Sequence, residues 1–340
     1  MTTIFLTFGP AARANYYADK ALAGLRALGE VRLNEHSEAL DTPALIAAAR
    51  GCDVIVSDRS TPGSAALFAA SPDLRVFLRC AMDIRNVDVV AASAAGVLVT
   101  HASAGFTNAV AEWVFGAMID LGRGVSDSVV AYRSGVAPAI TMGRELRGST
   151  LGVIGYGQIG RRVAELGRAF GMRIVVSDPF ATVDEPAVEA VALDALLTQS
   201  DFVICLAAAR PETENLMNDA RFARMKRGAF FVNAARGELV DEAALVRALD
   251  RGHVAGCALD VGRAPDQMPS PALARHPRVI ATPHIGGLTP PAAEHQALET
   301  VAQLAELLRG GMPAGAANAP DARRLEAWRG LAPDAPKRNL

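Results

Sequence analysis

The stretch LGVIGYGQIGRRVAEL, residues 151–166, joins an apolar strand to a helix through a G-x-G-x-x-G turn, and the next strand, RIVVSD, ends at Asp178. Gly155 allows the tight turn, Gly157 lets the backbone approach a pyrophosphate, and Gly160 lets the helix pack closely on the strand. The free amides of the helix N-terminus would then face the phosphate charge. Asp178 lies where a carboxylate accepts hydrogen bonds from the ribose hydroxyls of NAD. Together these features predict a dinucleotide site with NAD as the cofactor.

Length, charge and hydropathy narrow the class of protein. At 340 residues the chain is long for one hydrophobic core, so we expect two domains. The formal net charge is −2 and the mean hydropathy is +0.20, so neither nucleic acid nor an anionic membrane is expected as a partner. No apolar run approaches the length that spans a bilayer. The first residues, MTTIFLTFG, lack the pattern of a signal peptide and are typical of a first β-strand.

The cysteines indicate the compartment. The chain has four of them, scattered and without a C-x-x-C pair: Cys52, Cys80, Cys205 and Cys257. This spacing predicts free thiols in a reducing cytoplasm, and we expect no metal site.

Short apolar strands alternate with helical segments along most of the chain, and the N-terminal part predicts a small α/β domain. A long helix over 107–121 leads to near-continuous apolar strands, which are typical of a parallel sheet covered on both faces. The helix after Pro290 is expected to return to the first domain. We therefore predict two doubly wound parallel sheets of the Rossmann-like or flavodoxin-like kind. An NAD-binding domain at 101–289 would be inserted in a discontinuous substrate domain made of 1–100 and 290–340.

Three local expectations concern the connecting segments. Residues 14–28 are predicted to form one helical stretch. The segment after the long helix contains Gly135 and Pro138 and is predicted to be a loop. The tail from Pro313 is rich in Ala and Pro, so we expect it to be a poor core former that wraps the surface.

Three polar residues follow strands of the second domain: Arg236 in VNAARGELVDE, Asp260 in CALDV and His284 in TPHIGG. Ligands of open parallel sheets bind at the carboxyl ends of the strands, so all three are expected to face the nicotinamide crevice. Hydride transfer to a keto acid needs a cation for the carboxylate and a proton donor for the carbonyl oxygen. Arginine supplies a permanently charged bidentate fork, and histidine supplies a proton near neutral pH.

Each of these residues also has a purely structural interpretation. Arg236 could be a structural arginine at a strand end, His284 a turn histidine with its hydrogen bonds satisfied, and Asp260 a residue that caps a loop. The shared position at strand ends favours the chemical interpretation.

The chain resembles the D-isomer-specific 2-hydroxyacid dehydrogenases over about residues 79–308. The motifs that carry the likeness are AVAEW (109–113), GRELRGSTLGVIGYGQIGRRVA, ETENLMN, RMKRGAFFVNAARGELVDEAALVRAL, GCALDV and TPHIGG. The resemblance implies an NAD-dependent enzyme that interconverts a D-2-hydroxy acid and its 2-keto acid. It also implies a homodimer that forms through the NAD-binding domains.

The resemblance assigns a role to each strand-end residue. Arg236 would bind the substrate carboxylate and carbonyl, His284 would be the acid/base, and Asp260 would contact the nicotinamide carboxamide. The other positions that it places along the cofactor are Thr107, Gln158, Ile159, Ala234 and Gly286.

The chain departs from the family beside the acid/base. The family has a Glu five residues after the strand-end Asp, where it hydrogen-bonds the catalytic His and favours its protonated form. That position is Pro265 here, and Asp266 follows it. A shift of one residue in an irregular loop would let Asp266 take the place of this Glu as part of the catalytic set. Otherwise His284 works without that carboxylate and holds less proton at neutral pH.

A second departure lies in the loop expected to bind the substrate carboxylate. The glycine-rich segment of the family is replaced by Ala81, Met82 and Asp83, so the space and the charge differ. Backbone amides would still bind a carboxylate there. No additional Lys/Arg cluster marks a phosphorylated substrate, although Arg79 and Arg85 flank the loop.

The sequence leaves one alternative to an enzyme and predicts which of the two nicotinamide cofactors is preferred. An NAD(H)-sensing regulatory binding protein with the same fold is the alternative to an enzyme, although a pure sensor needs neither Arg236 nor His284. Asp178 repels a 2′-phosphate and the following Pro179 and Phe180 supply no arginine, so we predict NAD(H) over NADP(H) by at least about tenfold.

Overall fold

The structure is a computed structural model that describes residues 1–329, without the side chains of Asp266, Ala327 and Arg329. The chain divides into two compact units. The first contains Met1–Phe106 and the segment that begins at Thr289, and the second is Thr107–Leu288. The sequence placed these divisions a few residues away, at 100/101 and 289/290.

The described strands are β1 (Thr3–Leu6), β2 (Glu30–Leu33), β3 (Val54–Ser57), β4 (Val76–Arg79), β5 (Leu98–His101), β6 (Thr150–Ile154), β7 (Arg173–Ser177), β8 (Val188–Ala190), β9 (Phe202–Cys205), β10 (Ala229–Asn233), β11 (Val254–Leu259) and β12 (Val279–Ala281). The described helices are α1 (Pro10–Tyr16), α2 (Asp19–Leu28), α3 (Thr42–Ala48), α4 (Ala65–Ala70), α5 (Val89–Ala95), α6 (Thr107–Arg123), α7 (Val125–Arg133), α8 (Gln158–Ala169), α9 (Leu193–Gln199), α10 (Asp219–Arg224), α11 (Glu242–Asp250), α12 (Pro271–Ala274), α13 (Pro290–Leu308) and α14 (Glu326–Arg329).

Each unit is built on one parallel sheet. The sheet of the first unit has the order β2-β1-β3-β4-β5, and that of the second has the order β12-β11-β10-β9-β6-β7-β8. In both, the order reverses beside the first strand of the unit, which is the doubly wound arrangement. The predicted fold class is therefore confirmed.

Apolar side chains cover both faces of each sheet. Strands β3, β4 and β9 are buried along their whole length, which explains their uninterrupted apolar sequences. Phe68 and Phe77 pack edge to face in the first unit with ring centroids 5.8 Å apart. Phe222 and Phe231 do the same at 5.4 Å in the second. Each such buried ring stabilises the fold by about 1.5–3 kcal/mol, so these layers fix the strands whose ends carry the site.

Two helices differ from the expectations. The single stretch 14–28 is two helices, α1 and α2, because Ala18 adopts a left-handed φ of 58° between them. The predicted loop after the long helix begins with a helix, α7, which Gly124 separates from α6 at a φ of 62°. Among the residues of α7 none is buried, so its sequence has no apolar stripe that would indicate a helix.

The prediction that the tail from Pro313 is a poor core former and wraps the surface is wrong as far as residue 329. Ala316 pairs with Thr100 in an antiparallel bridge at the edge of the first sheet. Leu325 and Trp328 are buried in the core of the first unit, and the Arg75 guanidinium lies 5.5 Å from the centre of the Trp328 ring. A few large apolar residues thus compensate for the many alanines and prolines around them. The rest of the tail, 330–340, lies outside the described residues.

All four cysteines are buried and free of disulfides. Over residues 1–329, the helices include none that combines the length and the apolar character needed to cross a membrane.

Asp201 links three segments at the amino end of the second sheet through hydrogen bonds. Its carboxylate accepts hydrogen bonds from the Thr150 amide at 2.9 Å, Lys226 Nζ at 2.7 Å and, at 3.4 Å, Arg144. Burial raises the pKa of Asp201, but the hydrogen bonds from Lys226 and Thr150 outweigh it, so the pKa lies below its usual value. The ionised carboxylate therefore stabilises the fold above the unfolded pKa of about 3.9, and the contribution is lost as pH falls through the lower folded pKa.

We expect Asp201→Asn to lower the free energy of unfolding by about 1–2 kcal/mol at pH 7, because a charge-assisted pair is lost. The difference from the native protein should shrink below about pH 4, where the native carboxylate also becomes protonated. Thermal unfolding of both proteins at pH 7 and at acidic pH measures this. A difference of constant size across the range would mean that the charge of Asp201 is not responsible.

Candidate active site

The G-x-G-x-x-G turn connects β6 to α8 in a geometry that requires glycine at residues 155 and 160. Gly155 has a φ of 93°, and a Cβ there would lie 2.6 Å from the amide nitrogen of Ala207. A Cβ on Gly160 would overlap the carbonyl oxygen of Gly155. At Gly157, by contrast, a Cβ would have no described atom within 4 Å. The turn is therefore tight on its protein side and open at Gly157, which precedes the helix as its N-cap without a side-chain cap. This shape fits a pyrophosphate.

Other predicted cofactor residues lie at the same edge of the second sheet. Gln158 and Ile159 begin α8, and Gln158 is exposed. Ala234 follows β10, and its amide donates to the carbonyl of Cys205 at the end of β9 at 3.4 Å. Thr107 begins α6 in the same unit.

The Asp178 carboxylate is fixed beside the turn by two backbone amides. One oxygen accepts a hydrogen bond from the amide of Tyr156 at 2.7 Å, and the other accepts one from the amide of Phe180 at 2.9 Å. A carboxylate has about four lone-pair sites, so each oxygen keeps capacity for a ribose hydroxyl. The side chain is thus held in place for the role that the sequence predicts.

The three strand-end residues leave neighbouring parallel strands at one edge. Asn233 of β10 pairs with Leu259 of β11, and Leu259 pairs with Ala281 of β12. Asp260 comes directly after its strand, while Arg236 and His284 each follow three residues after theirs. Because adjacent strands are about 4.8 Å apart, this register brings the three residues to one end of the sheet.

Buried hydrogen bonds hold the backbone that carries Arg236. The Asn233 side chain is buried, accepts from the Ala235 amide at 3.1 Å and donates to the Arg236 carbonyl at 2.9 Å. A Cβ at Gly237 would overlap the backbone of Gly262, so the turn after Arg236 packs directly on the loop after Asp260. The guanidinium is half-buried and donates to the Ala235 carbonyl at 2.7 Å. It is a cation on a rigid support.

The Asp260 carboxylate anchors the turn that carries His284. It is 3% exposed and accepts hydrogen bonds from the Thr282 hydroxyl at 2.6 Å, the Ile285 amide at 2.8 Å and the Gly286 amide at 2.7 Å. A Cβ at Gly286 would lie 2.7 Å from this carboxylate, so the third contact requires glycine. The loop-capping interpretation of Asp260 therefore holds. About one lone-pair site remains for a further donor.

His284 has a left-handed backbone, with a φ of 56°. Its amide donates to the Thr282 carbonyl at 2.9 Å, which closes a tight turn around Pro283. A non-glycine residue in this conformation costs about 1 kcal/mol or more. The hydrogen bonds of Asp260 on either side of His284 offset that cost and fix the direction of the half-buried imidazole.

Because Asn has one acceptor oxygen where Asp has two, Asp260→Asn leaves at least one amide or hydroxyl of this turn without its acceptor. We expect kcat/KM to fall about 10- to 100-fold through displacement of His284, while the Kd for NADH changes less. Steady-state kinetics and a fluorescence titration with NADH separate the two quantities.

Asp201→Asn is the matched control, because Asp201 also accepts three hydrogen bonds but at the opposite edge of the same sheet. It should lower stability and leave kcat/KM within about twofold. If Asp260→Asn weakens NADH binding as much as it lowers kcat/KM, Asp260 acts on the cofactor and not on the turn.

The loop that replaces the glutamate of the family folds back on itself. The Gly262 amide donates to the Gln267 carbonyl at 2.8 Å, and the Ala264 amide donates to the Met268 carbonyl at 3.0 Å. Pro265 begins a short 3-10 turn, and Gln267 has a left-handed φ of 59°. The Asp266 side chain lies outside the described residues, so its role stays a prediction.

The predicted carboxylate loop belongs to the first unit. Ala81 is buried, and its carbonyl accepts from the Ala102 amide at 3.1 Å, whereas Met82 is 43% exposed. Asp83 accepts two hydrogen bonds from the guanidinium of Arg85 at 2.8 and 3.0 Å on one oxygen. The charge that replaces a glycine is therefore paired within the loop.

The sequence missed the structural importance of Arg79. Its side chain is fully buried at the end of β4 and donates to the Thr61 carbonyl at 3.0 Å, to the Asp58 carbonyl and to Asn86 Oδ1. Burial lowers the pKa of Arg79 to about 10, which still leaves it charged at neutral pH. An arginine within the apolar run LRVFLRC is the signal that could have indicated a buried polar link between these two loops.

Comparison with known proteins identifies the family. The model of the D-isomer specific 2-hydroxyacid dehydrogenase NAD-binding domain matches residues 115–286, which is half of the chain. The chain belongs to this family. The resemblance seen in the sequence is confirmed, and the second unit is the NAD-binding domain that the glycine turn predicted.

Individual relatives agree with this assignment. D-3-phosphoglycerate dehydrogenase 3, chloroplastic, of Arabidopsis thaliana is 35% identical over 79% of this chain and 47% of its own length. Glyoxylate reductase of Korarchaeum cryptofilum (strain OPF8) is 33% identical over 81% of this chain and 85% of its own. The crystal structure of a glyoxylate reductase from Paecilomyes thermophila has a TM-score of 0.80 at 28% identity, covering 94% of this chain and 99% of that one. This chain spans about half the length of the phosphoglycerate dehydrogenases that it matches.

Proposed function

We propose that this chain is an NAD-dependent dehydrogenase that interconverts a small D-2-hydroxy acid and its 2-keto acid. The observation that carries the proposal is the pair of Arg236 and His284 after neighbouring strand ends of the NAD-binding unit, where Asn233 holds the backbone at Arg236 and the Asp260 carboxylate holds the turn of His284. A protein that only senses the cofactor needs neither a carboxylate-binding cation nor a proton donor at this edge.

Each residue of the site has a separate role in binding or in proton transfer. NADH supplies the hydride when it is bound. Arg236 binds the substrate carboxylate with its guanidinium fork and polarises the carbonyl. An imidazole nitrogen of His284 gives a proton to the carbonyl oxygen during reduction and takes it back during oxidation. Asp260 keeps the His284 turn in its left-handed form, and its remaining lone-pair site is available to the nicotinamide carboxamide.

The proposed substrate side of the site lies in the loop after β4. Ala81, Met82 and Asp83 are proposed to offer backbone amides to the carboxylate, with Asp83 neutralised by Arg85. The relatives are named for phosphoglycerate and glyoxylate, both of which are 2-hydroxy or 2-keto acids, so they support the class and not the substituent.

A substrate screen tests the proposal. NADH oxidation is followed with glyoxylate, pyruvate, hydroxypyruvate, its 3-phosphate and bulkier 2-keto acids. Each chiral product is assigned as the D- or L-isomer; glycolate, the product from glyoxylate, is achiral. We expect turnover of at least one keto acid to the D-product. NADH binding without turnover of any acid would instead support the regulatory, NAD(H)-sensing alternative.

We propose that Asp266 supplies the carboxylate that Pro265 cannot, and hydrogen-bonds His284. Asp266→Asn should then weaken keto-acid reduction near pH 7–8 and move the pH profile of kcat/KM to lower pH, because an adjacent carboxylate favours the protonated imidazole. The profile of kcat/KM against pH for both proteins measures the effect in the free enzyme. Superimposable profiles would reject Asp266 and leave His284 without a carboxylate from this loop.

We also propose a homodimer that forms through the NAD-binding unit. Helix α7 has no buried residue, and Val130 and Tyr132 on it are 64% and 71% exposed. Beyond it, Ile140 and Met142 are fully exposed. An apolar surface of this kind favours burial against a second copy. Light scattering on the native protein and on Val130→Asp tests this, since a native monomer would contradict it.

A cytoplasmic location is proposed from the four buried, unpaired thiols. Fractionation of the cells that produce the protein tests it.

A further inference from the structure

An exposed aromatic ring stands beside the carboxylate that receives the ribose. The Phe180 amide donates to Asp178 Oδ1 at 2.9 Å, and the Phe180 side chain is 83% exposed. The guanidinium carbon of Arg210 lies 5.4 Å from the centre of this ring. An arginine from the loop after β9 therefore reaches the segment that follows β7, where residues 179 and 180 supply no cation of their own.

The position of Arg210 is defined by its surroundings. Its amide donates to the Thr213 hydroxyl oxygen at 2.8 Å, and that hydroxyl donates to the Ala208 carbonyl at 2.9 Å, so the loop is closed by side-chain bonds. Among the side chains that the structure describes, no carboxylate forms an ion pair with Arg210. Its positive charge faces solvent at the edge of the cofactor site.

Asp178 and Arg210 would act in opposite directions on a cofactor with a 2′-phosphate. The carboxylate that accepts the ribose hydroxyls repels a phosphate at the 2′ position, whereas a guanidinium attracts it and binds it bidentately. Two backbone hydrogen bonds hold Asp178 against the turn, and the Arg210 guanidinium lies over the ring of Phe180, two residues along the chain. The predicted preference for NAD(H) requires the repulsion by Asp178 to exceed the attraction by Arg210.

We propose that Arg210 is a second determinant of cofactor choice, a preplaced cation for a 2′-phosphate whose effect the charge of Asp178 masks. Loss of the Asp178 charge is then sufficient for NADP(H) to bind, and the increase in NADP(H) affinity depends on Arg210. The inference concerns the NAD-binding unit alone and does not depend on the proposed reaction.

Binding titrations of a double-mutant cycle test the proposal. The proteins are the native chain, Asp178→Asn, Arg210→Gln and the double variant, and the Kd values for NADH and NADPH are measured by fluorescence at low salt. Asp178→Asn is expected to strengthen NADPH binding at least tenfold relative to NADH. Adding Arg210→Gln should remove at least tenfold of NADPH affinity while the Kd for NADH stays within threefold. The effect should weaken in high salt, as for a charge–phosphate contact.

Arg227→Gln is the matched control, because Arg227 is an exposed arginine beside the amino end of β10. It should leave both Kd values unchanged, which excludes a general effect of net charge. Equal NADPH affinity of Asp178→Asn and the double variant would overturn the proposal. Equal losses of NADH and NADPH affinity in Arg210→Gln would also overturn it. The Phe180–Arg210 pair would then contact the adenosine that both cofactors share and would not select the 2′-phosphate. If Asp178→Asn does not fold, Asp178→Ser replaces it in the same cycle, with the same expected changes in the two Kd values.

Discussion

Arg236→Ala is expected to lower kcat/KM for keto-acid reduction at least about a thousandfold, while the Kd for NADH stays within about threefold. The guanidinium is the fixed cation at the strand end, and its removal leaves a substrate carboxylate without a charged partner. Its backbone is held by Asn233, so the substitution changes the side chain without releasing the turn. Steady-state kinetics and an NADH titration measure the two quantities.

Two further variants show whether the loss of kcat/KM in Arg236→Ala comes from the charge or from the shape of the side chain at this position. Arg236→Lys keeps the charge and loses the planar fork, so we expect an intermediate loss. Arg227→Ala removes a charge at the other end of β10 and should be nearly neutral. If Arg236→Ala keeps more than about a tenth of the native kcat/KM, a loss below about 1.4 kcal/mol, Arg236 does not bind the substrate carboxylate.

The second large effect is expected at His284. His284→Asn should lower kcat by at least about a thousandfold at every pH between 6 and 9, because the proton donor is lost. Asn is chosen because it tolerates the left-handed backbone that His284 adopts, with its φ of 56°. His284→Ala adds backbone strain at the same position and should be less stable than His284→Asn.

His276 provides the control, since it precedes β12 whereas His284 follows it. His276 pairs with Asp250 on α11, so His276→Asn should affect stability slightly and kcat not at all. Activity of His284→Asn close to native would mean that another group supplies the proton, and the proposed mechanism would fail.

The sequence predicted the parts of the site that depend on local geometry. Gly155 and Gly160 are required by the close packing of one turn, Gly157 leaves its surface open, and the spacing to Asp178 is fixed by one helix and one strand. The edge shared by Arg236, Asp260 and His284 was predictable because parallel strands bring their carboxyl ends together. Each of these inferences needs only the order of strands and helices along the chain.

Features that depend on packing were not predictable. Helix α7 exposes apolar side chains without a buried stripe, so its sequence resembles a loop. The burial of Trp328 depends on a strand edge more than 200 residues away. The meeting of Phe180 and Arg210 arises because two loops leave the same sheet edge from different strands. The threefold hydrogen bonding of Asp260 belongs to the same class, since its partners follow the next strand along the sheet.

The packing of Trp113 gives the His284 turn an optical reporter of its own. The indole is half-buried in the NAD-binding unit, and a Cβ at Gly286 would lie 3.5 Å from its ring. The second tryptophan of the chain, Trp328, lies in the other unit. In a Trp328→Phe background, indole emission therefore comes from beside the three hydrogen bonds of Asp260. Movement of this turn during substrate binding becomes visible in a stopped-flow trace without any attached dye.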